Sequence, residues 1–506
     1  MSTVARFTLV YLIVEFCLFP LSLCHLCSDP SVTYSEDSHS STTHCHVQLL
    51  STKITVETSD NSRGRSHTLR QSREESTKHE NIVKLDRVTP TQLHDLIFFI
   101  RQNNIGELTE ILYDISDPTS TNYGKYLTSK EIANMTESPQ ARREVLSYLK
   151  AAGASIISET LYGEYITARA PVSIWEEMLD TEFYTYAVQN PPKQHNAHTN
   201  ERENSIRNYI RTERYSVPNV LNSHIDSVFN TIQMPPPVAP RIVHHTEHTS
   251  SRSNFKQGVT VAATFTPDGY ITPAALNYHY NIRTNKGHPR AIQGVFASHG
   301  HAYSPADLKS FQKKFYLPDQ PVYKSPGRHD YTSEWCGVNL EYCGEGNLDL
   351  QYMMAVSQSP TIYYYTDLGL TSSWLIEMAN LLEPPLVMSI SYGIEERWLD
   401  LYEMNAFNTQ AIKLGVMGIT ILSSSGDDGA SSWSVRGRLE NCGYYPVFPN
   451  TSPYVLSVGG TQVCFLLYIL TKLVQKMKMK YIWMNLMHYL YENMNEITDS
   501  LNVHPI

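Results

Sequence analysis

Apolar residues are sparse from Ser28 to about Glu80, where Ser, Thr, His and charged side chains dominate. Such a stretch cannot bury enough surface to offset chain entropy and is predicted to be disordered. Periodic apolar spacing begins near Val83. Thr91 to Gln102 and Ile105 to Ile115 are predicted as amphipathic helices joined by a short turn. Ser116 to Leu127 is turn-rich and runs into an extended segment, and Ser138 to Ala152 is predicted as a further helix, ended by Gly153. Ser155 to Thr160, Tyr165 to Ala170 and Phe183 to Val188 have the composition of strands, with a helix at Val172 to Leu179 between them. Helices on a small antiparallel sheet make an α+β domain at about 84–230.

From Gly258 the pattern alternates. Predicted strands at Val259 to Phe265, Ala291 to Ala297, Thr361 to Thr366, Leu386 to Tyr392, Ile419 to Ser424 and Tyr454 to Val458 are interleaved with helices. Those helices are Pro273 to Tyr280, Pro305 to Phe315, Glu345 to Gln358, Ser372 to Leu382 and Leu401 to Val416. Nearly continuous apolar strands between helices imply a parallel α/β sheet covered on both faces, with sites at the carboxyl ends of its strands. Residues 233–256 separate the two regions and contain Met234-Pro-Pro-Pro237 and His244-His245-Thr-Glu-His248. The His/Glu cluster lacks the HExxH spacing of a zinc protease and reads as a solvated linker, open to proteolytic nicking.

Composition narrows the classes. The chain has 506 residues and a formal net charge of −10, which argues against a nucleic-acid footprint. Its 20 histidines are enough to reverse the sign of that charge in acid. Arg6, the apolar run Phe7 to Leu23 and Ser22-Leu23-Cys24 predict a secretory signal over residues 1–24. Of the eight cysteines, Cys336 and Cys343 are close enough to staple a loop, and a disulfide and two free thiols are both open readings. Asn134-Met-Thr136 and Asn450-Thr-Ser452 are glycosylation acceptor triplets.

The candidate chemistry lies in Gly344-Glu345-Gly346-Asn347-Leu348-Asp349-Leu350-Gln351-Tyr352, in a segment predicted as the start of a helix. Residues four apart share a helical face, so Glu345 and Asp349 should project together, with Leu348, Tyr352 and Met353 as an adjoining stripe facing a core. Two neighbouring carboxylates on a partly buried face cannot both ionise easily, and one pKa must rise. Such a carboxylate can serve as a general base in acid, where a histidine is already protonated. Taken alone, the pair reads rather as an acidic first turn suited to the helix dipole, since acidic first turns are common. Ser425-Gly426-Asp427-Asp428-Gly429 follows a predicted strand at its carboxyl end, and alone reads as a Gly/Asp turn.

In order along the chain stand Ser-Asp-Pro and Tyr-Gly-Lys-Tyr-Leu-Thr at 116–128, the Gly-Glu-Gly-Asn-Leu-Asp segment at 344–352 and Ser-Ile-Ser-Tyr-Gly at 389–393. Ser-Ser-Gly-Asp-Asp-Gly-Ala at 424–430 and Phe-Pro-Asn-Thr-Ser-Pro-Tyr-Val-Leu-Ser-Val-Gly-Gly-Thr at 448–461 follow. Together these strongly resemble the sedolisin family of serine-carboxyl peptidases over about 84–461. The resemblance implies a ferredoxin-like activation pro-domain at 84–232, a linker with the activation cleavage region at 233–256 and a subtilisin-like catalytic domain at 257–461, C-terminally incomplete. It implies a zymogen of a lysosomal or secreted setting, activated in acid, with its own pro-domain as intramolecular inhibitor and peptides as substrates. Removal of tripeptides from free N-termini is likewise implied.

Matched position by position, Glu345 takes the role of general base, Asp349 that of the acid orienting it, and Asp427 that of the aspartic acid which, when protonated, donates to the oxyanion. A protonated Asp can do such a donor's work. Ser432 stands where animal members often carry Cys, which puts one family disulfide in doubt. The family's Gly-Thr-Ser-Ala, whose Ser is the nucleophile, and its Asp/Gly-rich calcium loop do not occur in this sequence. Calcium is expected of the family, but its ligand loop is missing here. Residues 462–506 read as an unrelated tail, whose apolar run Val463 to Leu470 is too short to span a bilayer. Since loss of the nucleophile costs subtilisin about 10⁶-fold in kcat, the chain as written is expected to be inactive. The alternative is a non-catalytic binding or decoy protein that keeps the pro-domain and the substrate cleft. An unrelated doubly wound hydrolase is disfavoured by the lack of GxSxG, P-loop or GxGxxG in a usable context.

Overall fold

The computed structural model describes residues 67–72, 82–188, 208–234, 271–298, 300–327, 330–366, 373–380, 384–432 and 443–460. The predicted signal, the linker beyond residue 234, the predicted strand at Val259 to Phe265 and the tail at 462–506 lie outside those residues.

The first region comprises β1 (His67–Ser72), β2 (Ile82–Arg87), β3 (Leu93–Ile100), α1 (Ile105–Ser116), α2 (Ser129–Thr136), α3 (Pro139–Ala151), β4 (Ser155–Glu159) and β5 (Tyr165–Pro171). It continues with α4 (Val172–Leu179), β6 (Tyr184–Val188), β7 (Asn208–Arg211), β8 (Arg214–Pro218) and β9 (Ile225–Phe229). Its sheets are antiparallel: β4-β5-β3-β9, β2-β6-β7 and the pair β1-β8.

Two expectations are corrected here. Thr91 to Gln102 is not a helix, because Leu93–Ile100 is a central strand of the four-stranded sheet. Leu96, Phe98 and Ile100 point to one core with Val145, Leu149 and Trp175, whereas Ile97 and Phe99 point to another with Tyr165, Phe229 and Trp374. With both faces buried, the two-residue alternation is hidden inside an unbroken apolar run. His67–Ser72, inside the stretch expected to be disordered, is a strand, since it finds backbone partners in β8 and buries Gln71. The eight-residue helix α2 was not anticipated. Its start is fixed by a Thr128/Glu131 capping box that the chemistry of Thr-Ser-Lys-Glu would have signalled.

The second region comprises α5 (Pro273–His279), β10 (Gln293–Ala297), α6 (Pro305–Lys314), α7 (Ser333–Val338), α8 (Leu340–Ser357), β11 (Thr361–Tyr365) and α9 (Ser373–Ala379). After these come β12 (Val387–Ile390), β13 (Ile394–Glu395), α10 (Leu401–Val416), β14 (Thr420–Ser424), β15 (Val447–Phe448) and β16 (Leu456–Val458). The predicted parallel sheet is present, ordered β11-β10-β12-β14-β16, with every neighbouring pair parallel. Phe296, Tyr364, Met388 and Ile421 face one side with Trp374 and Phe407, and Val295, Ala297, Tyr363 and Tyr365 face the other with Leu308, Leu350 and Met354. Helices therefore cover both faces of a mixed α/β sheet. No described helix is long and apolar enough to cross a membrane.

The two regions meet across α10. Leu108, Ile115 and Ile132 of the first pack on Ile412 and Val416 of the second. Asp400 caps α10 through a capping box with Glu403, and it also accepts from Gln71 at 3.3 Å and Gln233 at 3.2 Å. Near the other end of α10, Lys413 donates to Glu164 at 2.9 Å, both side chains being buried, and the Thr160 hydroxyl donates to the same carboxylate at 2.7 Å. Burial pushes Glu164 up, but the Lys413 ammonium and the Thr160 hydroxyl outweigh it and hold the carboxyl below its ordinary range.

Glu164→Gln is expected to leave the Lys413 ammonium buried without a counter-charge, at a cost of roughly 3–5 kcal/mol read as a lower urea midpoint. Glu164→Gln combined with Lys413→Met should recover much of the loss. Because the folded pKa of Glu164 is depressed, its contribution is full above the ordinary carboxylate value and fades as pH falls through the folded one. The difference between wild type and Glu164→Gln should therefore shrink in strong acid.

Candidate active site

The helix carrying the acid pair starts earlier than expected. α8 begins at Leu340, so Glu345 lies in its second turn rather than its first. The favourable dipole effect falls off within the first turn, which weakens the purely structural account of this acid. The entry to α8 is fixed from outside. Asn339 is buried, α7 packs directly before it, and Cys336 and Cys343 form a disulfide that ties α7 to the first turn of α8. The open choice between a bridge and two thiols is thus settled in favour of the bridge.

The stripe facing the core also differs from expectation. Leu348 is 51% exposed, whereas Leu350 and Met354 are buried against Val295, Tyr303 and Tyr363. Gly346 explains the close approach. An added Cβ there would stand 2.2 Å from the Ala302 carbonyl oxygen and 2.5 Å from the Tyr363 hydroxyl. Asn347 completes the anchoring, its Oδ1 accepting from the Ser304 amide at 2.9 Å.

So held, Glu345 and Asp349 share one face as expected. Asp349 Oδ1 accepts from the Ser391 hydroxyl at 2.9 Å. Burial, and then the negative charge of Glu345, push Asp349 up to about 7, against the opposing pull of the Ser391 hydrogen bond. Asp349 is thus the acid of the pair that burial and its neighbour raise. Ser391 follows the last residue of β12, and the β12–β14 register pairs Ile390 with Ser423. The loop bearing Asp427, which follows Ser424 of β14, therefore lies at the same carboxyl edge of the sheet, on the neighbouring strand. Asp427 is exposed there. Its loop is tied down by the Ser425 amide, which donates to the Val458 carbonyl at 2.9 Å, and by Asn450, which donates to the Ser424 carbonyl at 2.6 Å.

Four further residues gather behind the pair and were given no role in the sequence: Ser391, Tyr392, Tyr363 and His301. Ser391 and Tyr392 stand in the Ser-Ile-Ser-Tyr-Gly segment directly after a strand, a position where polar residues serve sites. Tyr363 and His301 carried no local signal. Tyr363 sits in an apolar run, and His301 in a Gly/His turn. Among the described residues no group of three or more His, Cys, Asp or Glu side chains is placed to hold a metal ion, so the calcium implied by the resemblance finds no fitting donor set there.

Comparison with known proteins agrees with the resemblance. Residues 80–234 match the family described as Pro-kumamolisin, activation domain. Tripeptidyl-peptidase 1 of Rattus norvegicus is 30% identical over 397 residues, covering 75% of this chain and 63% of that protein. The Mus musculus and Homo sapiens proteins of the same name are 29% and 27% identical, with the same coverage. The chain thus spans 63% of the length of these relatives. A solved structure, Pseudomonas sedolisin (serine-carboxyl proteinase) complexed with two molecules of pseudo-iodotyrostatin, overlaps 36% of this chain and 55% of that chain, at 20% identity and a TM-score of 0.28. That overlap is too loose to bear on the site.

A buried acid with a raised pKa binds its proton more tightly folded than unfolded, so its contribution to stability falls as pH rises from about 4 to about 7. Asp349→Asn is expected to be more stable than wild type at about pH 8 by roughly 2–4 kcal/mol and equal to it below about pH 4, by urea titration at each pH. Ser391→Ala should raise the Asp349 midpoint by a further one to two units, about the worth of one hydrogen bond to a charge. Carboxyl-labelled NMR would read it.

Proposed function

We propose, from the chain's homology to the sedolisin family of serine-carboxyl peptidases, that its second region carries the base side of an acid-acting peptidase site and that its first region is the activation pro-domain. One observation carries the reading: Glu345 and Asp349 share one face of α8, with Asp349 held by Ser391 at the carboxyl edge of a parallel sheet, where burial and Glu345 push it up to about 7.

Across the acid range Asp349 is then a carboxylic acid, able to donate to Glu345 and orient it. That leaves Glu345 as the carboxylate that accepts a proton from an attacking hydroxyl. A base of this kind works in acid, where an imidazole would be spent. Asp427, on the loop beyond the neighbouring strand, takes the place of the donor to the oxyanion formed as the scissile carbonyl is attacked. The proposed substrates are peptides with a free N-terminus, shortened by three residues at a time. That specificity and a lysosomal or secreted setting are carried by the resemblance. The region 84–232 is read as ferredoxin-like and as the inhibitor of the region 257–461, itself read as subtilisin-like. What supports the inhibitory reading is the family match at residues 80–234 and the docking of that region onto α10. The nucleophile is a serine in Gly-Thr-Ser-Ala, a segment that residues 1–506 do not contain.

A polypeptide of these 506 residues is expected to leave an N-terminally free tripeptide amide uncut between about pH 3 and 6. Joined after Gly460 to the C-terminal part of the Rattus norvegicus relative, it should cleave that substrate after acid treatment. Glu345→Gln in this chimera should lower kcat by about 10²–10⁴-fold. A chimera that folds and binds the peptide yet never cleaves it would favour the binding or decoy reading. Cleavage by the 506-residue chain that disappears in Glu345→Gln would refute the expected inactivity.

A further inference from the structure

His301, Tyr363 and Tyr392 stand behind the acid pair, outside the proposed chemistry. His301 lies between β10 and α6 and is half-buried. Its Nδ1 is 2.6 Å from the Tyr392 hydroxyl, and its backbone carbonyl accepts from the Tyr363 hydroxyl at 3.1 Å. The Ser298 backbone amide near the Tyr392 oxygen weakly opposes the rise that burial gives this phenol. Tyr392 is the residue after Ser391, whose hydroxyl holds Asp349, and both tyrosines lie in the field of Glu345 and Asp349.

A phenol has one proton to give. While His301 is neutral with Nδ1 unprotonated, that proton is donated to the ring. Once the imidazole is protonated, Nδ1–H becomes a donor. The Tyr392 oxygen then receives the His301 donor, and its own O–H must turn away from the ring. Asp349 and Glu345 are among the groups whose charge raises this phenol, so its O–H gains by turning toward them.

We infer that His301 is a positioning residue for the acid pair: its protonation reverses the His301–Tyr392 hydrogen bond and turns the Tyr392 hydroxyl proton toward the carboxylates. Among the described residues, titratable groups placed about it are Glu345 and Asp349 from α8, Tyr363 and Tyr365 from β11, and Tyr392 from the end of β12. Tyr365 is placed there by its hydroxyl, which accepts from the Gly300 amide at 3.2 Å. The imidazolium charge and the turned phenol both favour ionised carboxylates. A histidine ordinarily protonates between about pH 5 and 8, so the Asp349 midpoint would lie lower than burial alone sets it, and Glu345 would stay ionised further into acid. The value of this to catalysis rests on the reading of Glu345 and Asp349 as the working acids. The rearrangement itself does not.

The test follows ionisation rather than turnover. In the full 506-residue chain, with Asp labelled at the carboxyl carbon and Asp349→Asn used for assignment, Asp349 is titrated by NMR from about pH 4 to 9. His301→Gln should raise the Asp349 midpoint by about one unit, and Tyr392→Phe, with His301 intact, should also raise it. The double variant should show less than the sum of the two, as expected of residues acting through one bond. An unmoved midpoint in Tyr392→Phe overturns the inference, because the charge of His301 would then act without the phenol. So does an unmoved midpoint in His301→Gln. Should His301→Gln fail to fold by near-ultraviolet circular dichroism, the Tyr392→Phe titration alone decides. A silent chimera together with these shifts would remove the peptidase reading and leave the inference standing.

Discussion

The site depends on a carboxyl group that the fold keeps out of water. Asp349 is half-buried, its carboxylate accepts from the Ser391 hydroxyl, and the charge of Glu345 adds to the rise that desolvation gives it. Left free to move, such a group would swing toward solvent and recover an ordinary pKa. It is held because α8 is pinned on several sides. Gly346 seats it on the Ala302 carbonyl, Leu350 and Met354 lock into the face of the sheet, Asn347 ties it to the Ser304 amide, and the Cys336–Cys343 bridge fixes its entry. Rigid placement converts desolvation into a shifted pKa rather than into local relaxation. The strand beneath, Thr361–Tyr365, is buried along its whole length, so the helix has a firm floor.

What could be read from the sequence follows from how each element is buried. The second region was legible because its strands are short apolar runs separated by amphipathic helices, and α10 was placed at its observed ends. β3 was misread because it serves two cores at once, and a strand apolar on both faces has no period to detect. β1, β7, β8 and β9 were missed because their pairing is long-range, as when His67 meets Pro218. The acid pair was legible as spacing. That Asp349 is raised was not, since burial against residues distant in the chain sets it, against the pull of the Ser391 hydrogen bond. His301 and Tyr363 had no local pattern at all, because a hydroxyl reaching a backbone carbonyl across 62 positions leaves no trace in either segment.

The contact between the two regions carries opposed responses to acid. Glu164 is held below its ordinary range, so the stability it lends is lost as pH falls through its folded value. Asp400 has the reverse sign. Burial raises it against the hydrogen bonds from Glu403, Gln233 and Gln71, so its contribution is largest in acid and is lost as pH rises. Asp400 ties together β1, the segment just past β9 and the cap of α10. Glu164 ties the turn before β5 to the far end of the same helix. Acid therefore loosens one end of the contact before the other, and α10 is the element along which that asymmetry runs.

A histidine beside an acid site invites the reading that it is the base. The geometry argues against that. His301 addresses Tyr392 through Nδ1, so that ring nitrogen is already engaged with a phenol rather than turned to a substrate hydroxyl. Once protonated it is a cation, which is useless as an acceptor but useful as a charge. A carboxylate pair with one proton to share works at a pH set by what surrounds it. Desolvation alone pushes that pH upward, as Asp349 demonstrates. A nearby group that gains positive charge as pH falls pushes it back down, in the range where a base must stay ionised to act. The imidazole and the carboxylates thus do different work. The acids hold and move the proton, and the histidine determines how far into acid they can go on doing so.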